Sequence, residues 1–129
     1  MEKRIINPWK WQNELHYVQA VEVTQDQGTL YCSGQAAIHP DGTLSSADMK
    51  TQMQMAMENL ETVITQAGYE AKNMVRLTIY TTNHDEFFAC LDTFGAWIAK
   101  NEIKTSVSAI EVTTLTGTLK FELEATVVK

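Results

Sequence analysis

Leu119-Lys120-Phe121-Glu122-Leu123-Glu124-Ala125-Thr126-Val127 alternates apolar and polar residues without interruption. Successive side chains of a strand point to opposite faces, so Leu119, Phe121, Leu123, Ala125 and Val127 share one side while Lys120, Glu122, Glu124 and Thr126 share the other. The pattern predicts a half-buried strand over about Thr118 to Val127. A further strand, about Ser106 to Thr113, joins it through Thr114-Leu115-Thr116-Gly117. Met74 to Tyr80 alternates as well, with Val75, Leu77 and Ile79 on one face and Met74, Arg76, Thr78 and Tyr80 on the other.

Between these strands the period changes. From about Asp48 to Ala67, Met49, Met53, Met57, Leu60 and Ile64 recur three or four residues apart, which predicts an amphipathic helix. Ser45 to Asp48 offers capping oxygens and Gly68 can take the left-handed conformation that ends it. Phe87, Leu91, Phe94 and Ile98 predict a second helix, capped by Asn83 with Glu86 three residues on, although Gly95 weakens it. Nearer the start, Val18 to Val23 and Thr29 to Gly34 are β-prone. The polar run Thr24-Gln25-Asp26-Gln27-Gly28 between them suggests a hairpin, and His39-Pro40-Asp41-Gly42-Thr43 a second turn. The order β-β-α-β-α-β-β predicts an α+β fold with a sheet whose two helices pack on one face. Its other face carries Arg76, Thr78, Lys120, Glu122 and Glu124, and is either a solvated surface or an oligomer contact.

The chain has 129 residues, of which 44% are hydrophobic, enough for one domain spanning residues 1–129. Sixteen acidic residues against ten basic ones give a net charge of −6, which repels phosphate backbones and argues against nucleic acid as a partner. No apolar run is long enough to span a membrane, and the first residues have no hydrophobic signal core, so a cytoplasmic location is expected.

Motifs for cofactor or metal chemistry are missing. His16, His39 and His84 have no ligand partner three or four residues away, and the glycines form neither a dinucleotide fingerprint nor a phosphate loop. No metal and no cofactor is expected. His16 could line a pocket beside Tyr17. Cys32 and Cys90 form no CxxC pair and read as small reduced hydrophobes. Glu122 and Glu124, two apart on one strand face, could position a water or an amine, or could simply be solvated.

Tyr17-Val18-Gln19-Ala20-Val21, Leu30-Tyr31-Cys32-Ser33-Gly34-Gln35, the turn at Asp41-Gly42, Gln52 through Asn59-Leu60 to Ala67-Gly68, Val75 to Tyr80, and Phe121 to Ala125 occur in one order. Together they resemble the Rid (YjgF-like) family over about Asn7 to Val127. The resemblance implies a chorismate-mutase-like α+β fold, a homotrimer, and small-molecule clefts between neighbouring subunits. It also implies hydrolysis of enamine and imine intermediates to keto compounds and ammonia without cofactor. Carried over, Tyr17 matches the cleft tyrosine, Ser33, Gly34 and Gln35 the strand-end motif, and Glu122 the carboxylate that positions water. Val107, followed by Ser108, stands where the family has an arginine that grips the substrate carboxylate, and Leu91 and Asp92 occupy the place of a helix asparagine. The loss of a bidentate guanidinium contact argues against ordinary imino-acid deamination. Lys104 is a possible source of the missing charge. The alternative implied is a non-catalytic metabolite-binding or regulatory trimer, and a ribonuclease reading is opposed by the acidic balance.

Overall fold

The computed structural model describes residues 1–24 and 27–129. Strands β1 (Glu2–Ile6) and β2 (Ala20–Thr24) form a two-stranded ribbon. A second sheet contains β3 (Thr29–Ala36), β4 (Met74–Thr81), β5 (Ser106–Glu111) and β6 (Phe121–Val128) in the order β3-β6-β4-β5. It is mixed: β6 runs antiparallel to both its neighbours, while β5 is parallel to β4. Helices α1 (Met49–Gln66), α2 (His84–Ala89) and α3 (Leu91–Lys100) supply residues to one core with the apolar side of this sheet.

The amphipathic helix forms as its sequence dictates. Asp48 caps α1 by accepting the Thr51 N–H at 2.9 Å, and Gly68 leaves it with φ of +79°. Met49, Met53, Met57, Leu60 and Ile64 are all buried. Gln52, fully buried among them, has its polar atoms satisfied. Its Nε2 donates to the Ala47 and Thr118 carbonyls at 3.1 Å each, and its Oε1 accepts the Lys120 N–H at 2.8 Å. These bonds hold the chain entering β6 against the helix, which is why the strand proper starts at Phe121 instead of Thr118.

Four expectations need correction. The predicted hairpin does not form among the described residues, since β2 pairs with β1 and β3 pairs with β6; Gln25 and Asp26 of its connection lie outside them. An unforeseen strand, β1, captures β2, and Gly28 instead exchanges backbone hydrogen bonds with Lys129, extending the β3–β6 ladder. Second, Met74 belongs to the core and not to the polar face. A register shift between Met74 and Arg76 inserts Val75 as an extra residue, which turns Met74 to the side of Leu77 and Ile79. Third, the second predicted helix is two, because Cys90 leaves helical geometry (φ −107°, ψ 18°) and interrupts the ladder. Phe87 and Phe94 are nevertheless both buried, so the spacing of apolar residues conceals the break. Fourth, the strand expected over about Ser106 to Thr113 ends at Glu111; it pairs with β4, which lies between it and β6.

Candidate functional site

Pairing across the sheet fixes which side chains share a face. Val107 lies opposite Leu77 and Ala109 opposite Ile79, placing both on the helix side. Glu122 and Ile110 lie opposite Tyr80, and Ser108 and Glu124 lie opposite Thr78, on the other side. Val107 and Glu122 of one chain are therefore separated by the sheet itself.

On the helix side, Tyr17 and Val107 come together. They line a recess of about 160 Å³ with Leu15, Ile79, Phe87 and Phe88, and none of its lining residues is charged. Tyr17 reaches it from the turn of 3-10 helix at Trp11–Leu15, and the Trp11 ring stands edge-on to the Tyr17 ring at 6.4 Å. Phe88 is 49% exposed, so an aromatic surface continues outward from the recess.

On the opposite side, a register shift between Cys32 and Gln35 bulges β3 at Ser33-Gly34. The Glu122 carboxylate lies over Gly34 so closely that a Cβ there would sit 2.3 Å from Oε2. Glycine at this position leaves room for the carboxylate, a use typical of glycine within a strand. Ser33 and Gly34 are exposed and Gln35 half-buried, its Nε2 donating to the Ser33 carbonyl at 3.4 Å. Ser108 stands apart from both groups and accepts from Arg76 Nη2 at 2.8 Å. Nearby, the Tyr80 hydroxyl donates to Glu124 Oε1 at 2.7 Å, which holds its own proton above the usual phenolic range. Of the sequence-derived site residues, the structure thus brings Tyr17 to Val107 and Gly34 to Glu122, while Gln35 pairs across the ladder with Leu123 and Ser108 has a third setting.

Lys104 does not join Val107. It lines a separate recess of about 360 Å³ with His16, Asn7 and Asn13, on which Tyr17 also borders. His16 is thus a pocket residue, one of the two readings its position beside Tyr17 allowed. Cys32 is buried, and burial pushes its thiol pKa up, away from nucleophilic use. Among the described residues, no three His, Cys, Asp or Glu side chains converge to hold a metal ion, and no helix is long and apolar enough to cross a membrane.

Known proteins share this fold. YyfB from Yersinia pestis, a Rid-family protein of unknown function, superimposes with a TM-score of 0.88 at 30% identity, covering 100% of both chains. The RutC family protein PM1466 of Pasteurella multocida is 29% identical over 88% of this chain and 87% of its own. Escherichia coli TdcF, provisionally named a reactive intermediate deaminase, is 23% identical over 88% of this chain and 86% of its own. Its crystal structure with bound serine has a TM-score of 0.73, covering 88% and 87% of the two chains. The Endoribonuclease L-PSP family profile matches residues 10–129, and the chain belongs to this family, the YjgF/Rid proteins.

Proposed function

We propose that this chain forms a homotrimer with small-molecule clefts between subunits, and that it hydrolyses enamine or imine compounds in the cytoplasm. One observation carries the reading: Val107 and Glu122 project from opposite faces of a single sheet, so only a second copy can present both to one ligand. The two groups lie toward opposite edges of that sheet, with Val107 on edge strand β5 and Ser33–Gln35 on edge strand β3. Abutting those edges from two copies would complete a cleft with one apolar and one acidic wall.

The chemistry follows from the walls. Glu122 takes a proton from water as the oxygen bonds to the imine carbon. The C=N electron pair moves to nitrogen, which takes that proton to give a carbinolamine; Glu122 then carries the remaining hydroxyl proton to nitrogen as the C–N bond breaks, so that a carbonyl compound and ammonia leave. Tyr17 supplies a hydroxyl for hydrogen bonding, and Ser33, Gly34, Gln35 and Ser108 line the ligand's approach. Val107, beside Phe87 and Phe88, favours substrates that present an apolar group where a 2-imino acid presents its carboxylate. TdcF holds serine, so a ligand of amino-acid size suits a relative of this fold. Neither a metal nor a cofactor is assigned a role, and the net charge of −6 argues against an RNA substrate.

Ammonia release tests this. A neutral aliphatic imine should turn over faster than freshly generated 2-aminoacrylate, and Glu122→Gln should lower the rate about 100-fold or more while the trimer persists. Sedimentation as single chains, or a Glu122→Gln rate equal to that of the parent, would reject the reading. The wholly uncharged lining of the Tyr17–Val107 recess also supports a non-catalytic metabolite-binding trimer. That alternative predicts ligand-induced thermal stabilisation with no ammonia from either substrate.

A further inference from the structure

Two unfavourable local choices converge on the imidazole of His16. Its backbone is left-handed, with φ of 67° and ψ of 36°, a conformation uncommon for residues other than glycine. Its ring tip packs on Gly95 in the middle of α3, where a Cβ would approach Nε2 to 2.5 Å. A glycine in a helix interior and a strained residue at its contact both oppose stability, and such departures concentrate at functional sites. His16 has no side-chain hydrogen bond among the described residues, although its ring borders a recess.

Beside Ile5, Val18, Ile98 and Ile103, the polar part of that recess offers donors. Asn7 and Asn13 line it, and their carboxamide oxygens are already engaged, Asn7 Oδ1 by the Gln19 N–H at 2.8 Å and Asn13 Oδ1 by Gln12 Nε2 at 3.1 Å. What each has left is its NH₂ group, a donor. Lys104 adds an ammonium, and no carboxylate lies within ion-pair distance of it among the described residues. Lys3 lies near enough to Lys104 and Lys72 to feel both: its pKa is lowered, by burial first and then by these two charges. In a chain with six excess negative charges, Lys3 and Lys104 concentrate positive charge at this corner, while Lys72 is paired with Glu70 at 3.3 Å.

We propose that the recess formed by Asn7, Asn13, His16 and Lys104 binds a small oxyanion, the carboxylate or phosphate group of a metabolite or the free ion. The site lies apart from Val107 and Glu122 and shares only Tyr17 with the apolar recess. An oxyanion accepts from the two amides and the ammonium, and His16 contributes a further N–H. The proposal does not depend on catalysis or on trimer formation.

Titrating the full-length protein with inorganic phosphate and, separately, with malonate tests it, chloride holding ionic strength constant. The His16 imidazole resonances should shift saturably with at least one oxyanion. Lys104→Gln should weaken that binding about tenfold or more. His16→Asn, which tolerates the left-handed backbone, should weaken it as well, read by calorimetry. Lys50→Gln, on α1, should leave it unchanged. Whichever of phosphate or malonate binds tighter identifies the preferred class. Non-saturating shifts with both anions, or wild-type affinity in Lys104→Gln, would overturn the proposal.

Discussion

The two faces of the four-stranded sheet are built from the same strands and do opposite work. On the helix side, Leu77, Ile79, Phe121, Leu123 and Val127 are fully buried. On the other, Arg76 meets Ser108, Tyr80 meets Glu124, and Glu122 lies over Gly34 without a side-chain hydrogen-bond partner among the described residues. Apart from the Tyr17–Val107 recess beside β5, the first face is closed within one chain, whereas the second is a set of exposed and half-buried polar groups left open. Stability should therefore be concentrated on one side and chemistry on the other, a division that substitutions can separate.

The largest effect should come from the closed face. Leu123 is fully buried in β6 between β3 and β4, so Leu123→Ala removes packing that neighbouring strands cannot restore. A loss of about 2–5 kcal/mol is expected, measured by urea unfolding. A loss below about 1 kcal/mol would show that the apolar face is looser than its burial implies.

Gly34→Ala acts on the open face. The new Cβ would collide with the Glu122 carboxylate, which is the movable end of a side chain, so the carboxylate should swing away while the fold survives. Misplacement by about 1 Å lowers turnover by roughly 100-fold where geometry governs the rate. The expected outcome is ammonia release reduced by about that factor, with unfolding close to that of the parent. Unchanged turnover with a shifted Glu122 carboxyl resonance would separate Glu122 from the chemistry.

How much of this was legible follows from what period can encode. Alternation in β6 and the spacing of methionines in α1 identified the burying side chains correctly, because one period holds across each element. The bulge at Val75 and the break at Cys90 were hidden, since each changes backbone geometry while leaving the apolar spacing acceptable to either reading. Pairing partners were illegible for a different reason. β2 joins β1, and β6 separates β3 from β4, through contacts between segments distant in sequence. The candidate site residues were assigned one by one through resemblance alone. That Val107 and Glu122 face opposite ways depends on strand register, which no single segment states. Gly34 and Gly95 were the available clues to close approach, and each marks a side chain, Glu122 or His16, that packs onto a backbone.

The smallest effect sharpens the comparison by titration. The Tyr80 hydroxyl donates to Glu124, and this bond first, then burial and the nearby carboxylates, holds its pKa above the ordinary value of about 10. The folded state thus retains this proton more tightly than the unfolded chain does. Its contribution to stability is complete below the unfolded value and declines as pH rises through the folded one. Tyr80→Phe lacks both the bond and the titration. Urea midpoints of parent and variant should differ slightly and constantly from about pH 7 to about 9, and the gap should narrow above about 10. Other alkaline titrations are common to both proteins and cancel in the difference. A gap that stays constant through about pH 11 would mean that Glu124 does not hold the phenol, and that the open face is no more than a solvated surface.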